Sequence, residues 1–582
     1  MTVPHSFGRG ALVALGLCTA MSLTACKKDP TSNAVIPETS TARLTSLSTQ
    51  MPTGVLGAAF VGDLPKMRAT LTRLNQEAGS IVPQIGAIQQ QIVSELGVDL
   101  LDPKSVQEAG ISDTGLAVSF SENHFTLYSY VSDATKFDAF IARGAGKVSG
   151  ATGAPVIKTI DELKIKTLGT GPSQVAWAYN GKLAMVAMSA PDASSPSEAS
   201  AALAATIKAS ADKTKSLAQS ASFKRFAKVY PGDKHVVSVY GDPKAIAASA
   251  AVIKDVKAAG AEQDKAFEWF KANAEVLGAG ITNDGNEFVL RAMFGGNEAF
   301  QAKVKTLAEG VEDSAVGRFS NASTLAALRL NTNMLALWSL QQSTLPAEEV
   351  AQLKQQYEQV SKDFGIDFEK DIIGNFKGDI GVFFNGIDLA SMMSAQRAGG
   401  SPTDALKVVA AGRVKDPAKA KALLEGIAKQ INAQMKENGP IMIDGKEVES
   451  NPVAVLEWNK GSRLELPNVG NFYVSGDLLV FALPKVTEAE VKASLEGNGT
   501  PAPVAYGKQV ADKAVLNGLF VNVPGIWTIV GPFAGMAGIP GEVTQAIQKI
   551  DGVMLQANGT SDAMLLEVKA SLKGDASVVA PK

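Results

Sequence analysis

The chain has 582 residues, of which 46% are hydrophobic and 19% charged, with 55 lysines and arginines against 58 aspartates and glutamates. A net charge of −3 excludes the strongly basic surface needed to bind nucleic acid or to read an anionic membrane. Two cysteines and three histidines leave little material for thiol or imidazole chemistry, while the length is ample for two hydrophobic cores.

Residues 1–25 read as an export signal. Arg9 supplies the positive start, and the apolar run Ala11 to Ala25 is too short to span a bilayer comfortably. Cys18 lies inside that run and leaves with it. The run ends Leu23-Thr24-Ala25-Cys26, which resembles the lipobox of bacterial lipoproteins. The resemblance implies cleavage before Cys26, diacylation of its thiol and acylation of the new amino group. Each buried acyl methylene contributes roughly 0.8 kcal/mol, and two or three chains hold a protein stably. The membrane is thus an expected partner, reached through N-terminal acyl chains. In a cell with an outer membrane, Lys27 after the cysteine implies that membrane, with the body in the periplasm or at the cell surface; in a Gram-positive host the same anchor implies the outer face of the cytoplasmic membrane. After cleavage only Cys26 remains, so no intramolecular disulfide forms and the body depends on core burial.

Residues 26–50 are rich in Ser, Thr and Pro and read as a flexible tether, about 80 Å long when stretched. The body then repeats itself. "LGVDLLD" (from Leu96) recurs as "FGIDFEK" (from Phe364), and "GLAVSF" (from Gly115) as "DIGVFF" (from Asp379). "YVSDATKFDAFI" (from Tyr130) matches "RVKDPAKAKALL" (from Arg413), and the hairpin "YNGKLAMVAM" (from Tyr179) matches "VSGDLLVFAL" (from Val474). Closing hairpins turn at Asn283-Asp284-Gly285 and at Gly559 to Asp562. The order predicts two tandem domains, 51–300 and 312–576.

Within each half the hydrophobic period switches between 2 and 3.6, which predicts an α+β fold of mainly antiparallel sheet with helices packed on one face. Asp63, Asp133, Asp242 and Asp416 sit at strand-to-helix joints, where a carboxylate caps a helix, rather than in a metal site. The motif order resembles uncharacterised bacterial envelope proteins built from duplicated hairpin and helix units. That resemblance implies fold and envelope localisation, and no activity.

Tests for chemistry come out negative. "RGAGKVSGATGAP" (from Arg143) lacks the glycine spacing of a phosphate-binding loop and reads as a flexible loop. Ser210 to Lys213 has a Ser-x-x-Lys spacing without the companion motifs of penicillin-recognising enzymes. His124 and His235 read as surface residues. No catalytic set, cofactor or metal site is expected. One segment departs from the plan: 514–541 carries no charge, and its alignment puts Pro524 at the place of Pro243. Ile526, Trp527, Phe533 and Met536 are its possible apolar contacts, and burial between the domains is the favoured reading over an exposed contact surface. The reading is a non-catalytic, lipid-anchored structural or binding module with an unknown envelope protein as partner. The alternative is a carrier or chaperone for an apolar ligand or an exported hydrophobic segment.

Cys26→Ala is expected to block acylation and processing, leaving precursor or a mislocalised soluble form. Mature Cys26→Ala protein that stays with the outer membrane after salt washing would refute the anchor.

Overall fold

A computed structural model of the chain describes residues 36–573 apart from 79–97, 150, 152, 191–197, 311, 313, 346, 399–404, 439–440, 444–445, 449–451, 467–468, 498–514, 536–537 and 561–562. Cys26 and Met536 therefore lie outside the described residues. The chain divides into two compact units, one of residues 1–299 with 540–549 and one of 300–539 with 550–582. The ten residues 540–549 thus depart from the simple tandem boundary, as does helix Glu298–Ala308, most of which belongs to the second unit.

The described residues of the first unit form ten strands: β1 (Gly57–Val61), β2 (Ile111–Phe120), β3 (His124–Val131), β4 (Val156–Ile160), β5 (Leu163–Leu168), β6 (Val175–Asn180), β7 (Leu183–Ser189), β8 (Val237–Gly241), β9 (Ala274–Asp284) and β10 (Glu287–Gly296). They pair antiparallel in the order β4-β5-β6-β7-β3-β2-β1-β8-β9-β10. The second unit contains β11 (Ala326–Asn331), β12 (Phe376–Ile387), β13 (Leu406–Val414), a separate small hairpin of β14 (Ile441–Ile443) and β15 (Lys446–Val448), then β16 (Val455–Trp458), β17 (Gly461–Leu466), β18 (Gly470–Ser475), β19 (Leu478–Ala482), β20 (Val515–Val521), β21 (Ile550–Gly559) and β22 (Met564–Leu572). Its main sheet runs β16-β17-β18-β19-β13-β12-β11-β20-β21-β22, again all antiparallel. The two orders correspond strand for strand. The fold is α+β.

Local chemistry explains the joints. Asp63, Asp133, Asp242 and Asp416 each accept a backbone N–H from the first turn of the following helix, at 2.9–3.0 Å for the shortest contact. Hairpin turns place Gly181, Gly285 and Gly476 at φ near +60°. Asp161-Glu162 and Asn459-Lys460 adopt the same left-handed pair at equivalent hairpins, with φ between 42° and 70°. These are type I′ turns made without glycine.

The α+β architecture holds, and in parts of the sheet both faces are covered. In β1, Val61 joins a cluster with Leu64, Met67, Phe137 and Phe140, while the preceding Phe60 packs on Phe223 and Phe226 with ring centroids 5.6 and 6.4 Å apart. Neighbouring strand residues face opposite ways, so both faces are covered. Val175, Ala176, Trp177 and Ala178 of β6 are all buried for the same reason. In β18 of the second unit, Tyr473 and Val474 likewise join different clusters. Gly278 and Gly280 are required where β9 passes Tyr230: a Cβ on either would come within 2.5–2.7 Å of that ring.

Three expectations need correction. Residues 40–49, expected within the tether, form a helix that buries Leu44 and Leu47. Arg43 fixes it by donating to the carbonyl oxygens of Gly62 and Thr114 at 3.0 and 3.3 Å. The glycine-bearing run from Arg143 is not all loop, since helix Ala134–Ser149 continues through it. Both histidines are buried. His235 packs edge-on against Tyr230 at 4.9 Å, and burial lowers its pKa from the ordinary 6.5 to about 4.

A buried polar knot ties β5 and β6 to helix Ala134–Ser149. Asp138 accepts from Trp177 Nε1 and from the Tyr179 hydroxyl, both at 2.7 Å, and pairs with Lys166 Nζ at 2.5 Å. Burial and the adjacent carboxylate raise the Tyr179 pKa. Asp138→Ala removes the acceptor while leaving its donors in place. The expected loss is about 3–5 kcal/mol in the first unit's urea transition; a loss under about 1 kcal/mol would show the knot to be peripheral.

Candidate functional site: an apolar hollow and an apolar sheet face

The first unit has a hollow on one face of its sheet. Beyond β8, Asp242 caps helix Pro243–Ala248, and Ser249 caps helix Ala250–Ala259 by accepting from Val252 N–H. Glu122, in the β2–β3 turn, accepts from Ala250 N–H at 2.7 Å and so pins this helical cover to the sheet. Beneath the cover lies a cavity of about 480 Å³.

Its floor is made of small residues: Gly57 and Gly241, opposite one another in the β1–β8 register, with Ala279 and Ala292 paired across β9 and β10. Phe120, Phe125, Leu277, Ile246 and Val252 form walls and roof. Gly241 matters, because a Cβ there would stand 3.2 Å from Leu277 Cβ and 3.6 Å from Ile246 Cδ1. The lining contains one carboxylate, Glu122, which is already engaged in capping, and no histidine, cysteine, lysine or arginine. Such a space can exclude water from an apolar group, and its volume falls within the roughly 300–1,000 Å³ of small-molecule sites.

The second unit treats the equivalent face differently. Leu328, Leu519, Leu555 and Val568 are direct cross-strand neighbours along β11, β20, β21 and β22, with Val382 of β12 beside Leu328. All five are exposed, at 37–43%. On the other face one row is polar and covered, with Arg329, Gln556 and Glu567 only 0%, 4% and 3% exposed, next to the apolar core row Ala327, Phe383, Phe520 and Met554. Arg329 lies opposite Gly381 and Gly518, so neither neighbour crowds it with a side chain, and its Nε stands 3.6 Å from buried Asp379. Glu567 accepts from Gln556 Nε2 and from Asn558 Nδ2, and it pairs with Lys569 at 3.5 Å. This part of the sheet therefore has a mixed interior, one polar row beside an apolar one, and an aliphatic outer face.

The uncharged segment is not a buried helix. Helix Val523–Val530 has no buried residue. Ile526 and Trp527 are half-buried, while Val530 and Phe533 are 43% and 44% exposed. The proline alignment also shifts by one. Asn522 holds the place of Asp242: its N–H donates to Leu325 O as Asp242 N–H donates to Leu56 O, and its side chain caps the helix by accepting from Gly525 N–H at 3.0 Å. The polar joint is kept, with an amide in place of a carboxylate. The hollow was missed in the sequence because its floor residues are ordinary alanines and glycines within strands.

Among the described residues, no group of three or more His, Cys, Asp or Glu could hold a metal ion, and no helix is long and apolar enough to cross a membrane. No protein-family model matches the chain, and no curated protein matches it. Solved structures of the Treponema protein TP0453 are similar over part of the chain. Crystal form IV is 11% identical, covering 43% of this chain and 79% of TP0453 at a TM-score of 0.22. Crystal form I is 11% identical, covering 43% and 77% at 0.23. Likeness at that level carries no argument about this chain.

Phe533→Asp places its carboxylate in water. Stability is expected to change by no more than about 0.5 kcal/mol in thermal or urea unfolding. A loss of about 3 kcal/mol or more would return this segment to a packed interior.

Proposed function

We propose that the chain is a lipid-anchored protein of the bacterial cell envelope, a non-catalytic binding module whose first unit carries an apolar ligand. The observation that carries the reading is the hollow of about 480 Å³ under helices Pro243–Ala248 and Ala250–Ala259, floored by glycine and alanine. A purely structural module gains nothing from such a space, since an unfilled apolar void forfeits packing energy. The hollow therefore favours the carrier over the scaffold. The ligand class is a slender apolar molecule or chain, since the lining offers almost no polar partner. The Leu23-to-Cys26 lipobox supports the anchor, and Lys27 supports outer-membrane sorting, with the body in the periplasm or at the surface.

Native mass spectrometry of protein purified from envelopes is expected to show co-purifying lipid. Ala279→Phe fills the floor and should abolish that mass increment together with binding of a fluorescent polyene fatty acid, while Phe533→Asp leaves both intact. A wild-type protein that carries no lipid and binds no fatty-acid probe would overturn the carrier reading.

A further inference from the structure

The aliphatic row of the second unit is a separate feature from the hollow. Its six most exposed members are Val382, Leu328, Leu519, Leu555, Leu566 and Val568. Between the bulges of these strands, Asn517 is the single polar residue on that face. The opposite face carries the buried Arg329–Asp379 pair and the Glu567 cluster. Strand alternation ordinarily sends polar residues to water and apolar ones to the core. Here one cross-strand row, Arg329, Gln556 and Glu567, is polar and buried beside the apolar core row Ala327, Phe383, Phe520 and Met554, while the opposite face exposes aliphatics across neighbouring strands.

From this we infer that the face is covered in solution by the same face of a second copy of the chain, as a two-fold sheet-on-sheet dimer. Three observations select this occupant. The row contains no Trp, Tyr, Lys or Arg, the residues that seat a protein at a bilayer surface. It is a regular ladder of Leu and Val, the surface that interdigitates with another sheet about 10 Å away. Such a row is also self-complementary about a two-fold axis, which an isologous interface requires.

The size agrees. Five strands at about 4.8 Å spacing span roughly 24 Å, and three outward residues per strand span about 20 Å. That is roughly 480 Å² per copy and about 1,000 Å² over both, where specific interfaces begin.

The test uses the chain from residue 27 onward, which keeps every described residue and lacks cysteine. Sedimentation at about 50 μM is expected to give twice the chain mass, and Leu519→Asp should halve it without lowering the melting temperature. A second variant covers the case in which Leu519→Asp does not fold. Leu519→Cys, at the centre of the row, supplies the sole thiol in the chain and should form a disulfide-linked dimer on mild oxidation. A wild-type protein that sediments as monomer at that concentration overturns the dimer. So does a monomer that floats with phosphatidylcholine vesicles through this face, losing flotation with Leu519→Asp, because the occupant would then be a membrane.

Discussion

Everything in this protein depends on the two-residue period of the β-strand. A strand offers one set of side chains to each face, and a sheet in water must either cover a face or make it polar. In strands such as β1 and β6 of the first unit both faces are covered, so Phe60 and Val61, or Ala176 and Trp177, are buried although they point in opposite directions. The second unit obeys the same period with a different assignment. It hides Arg329 and Glu567 while leaving Leu328, Leu555 and Val568 exposed. Both halves of that choice are costly. A buried charge must be paired and hydrogen-bonded to be tolerated, and each exposed aliphatic forgoes part of the roughly 1.5–3 kcal/mol its burial would contribute. In the dimer inferred above, contact with a second copy would restore the burial that the exposed aliphatics forgo.

The duplication shows how one plan yields two surfaces. Registers place Val239, Ala279 and Ala292 of the first unit where the second has Leu519, Leu555 and Val568. Small residues in the first copy leave a hollow that a helical cover closes. Large aliphatics in the second raise a ridge. The backbone pairing is unchanged, so divergence lies in side-chain volume and in the β8–β9 and β20–β21 connections. The first of those folds as helices Pro243–Ala248, Ala250–Ala259 and Ala261–Asn273, whereas the second contributes the short, apolar helix Val523–Val530 to its own unit.

Local chemistry was legible in the sequence; coverage was not. The capping aspartates, the Gly181, Gly285 and Gly476 turns and the order of matching motifs were readable, because each depends on a few adjacent residues. The α+β class followed from the alternation of periods. Which face of a strand would be covered did not follow, since alternation in "AALRLN" (from Ala326) defines two faces without saying which meets water. The same gap explains His235, whose burial depends on Tyr230 and on Gly280 of a distant strand. It also explains helix Val523–Val530, where absence of charge read as burial although half-exposed positions tolerate the same residues. Aligning on Pro524 misplaced the joint because proline is accepted at either of the first two helical positions, whereas the cap is fixed by the strand before it.

The hollow and its cover differ in how firmly they are built. Gly57, Gly241 and Ala279 of the floor belong to strands β1, β8 and β9, each paired on both sides, and are as firmly held as the sheet. The cover consists of short helices that bury only Pro243, Ile246 and Val256, with Glu122 pinning the second helix by its first exposed N–H groups. Local opening draws on the least buried and least bonded parts of a structure. The cover can therefore lift while the floor holds. On the proposed carrier role, an apolar ligand would replace the packing that the cover loses as it moves, and the small-residue floor and the lightly fastened cover would act together.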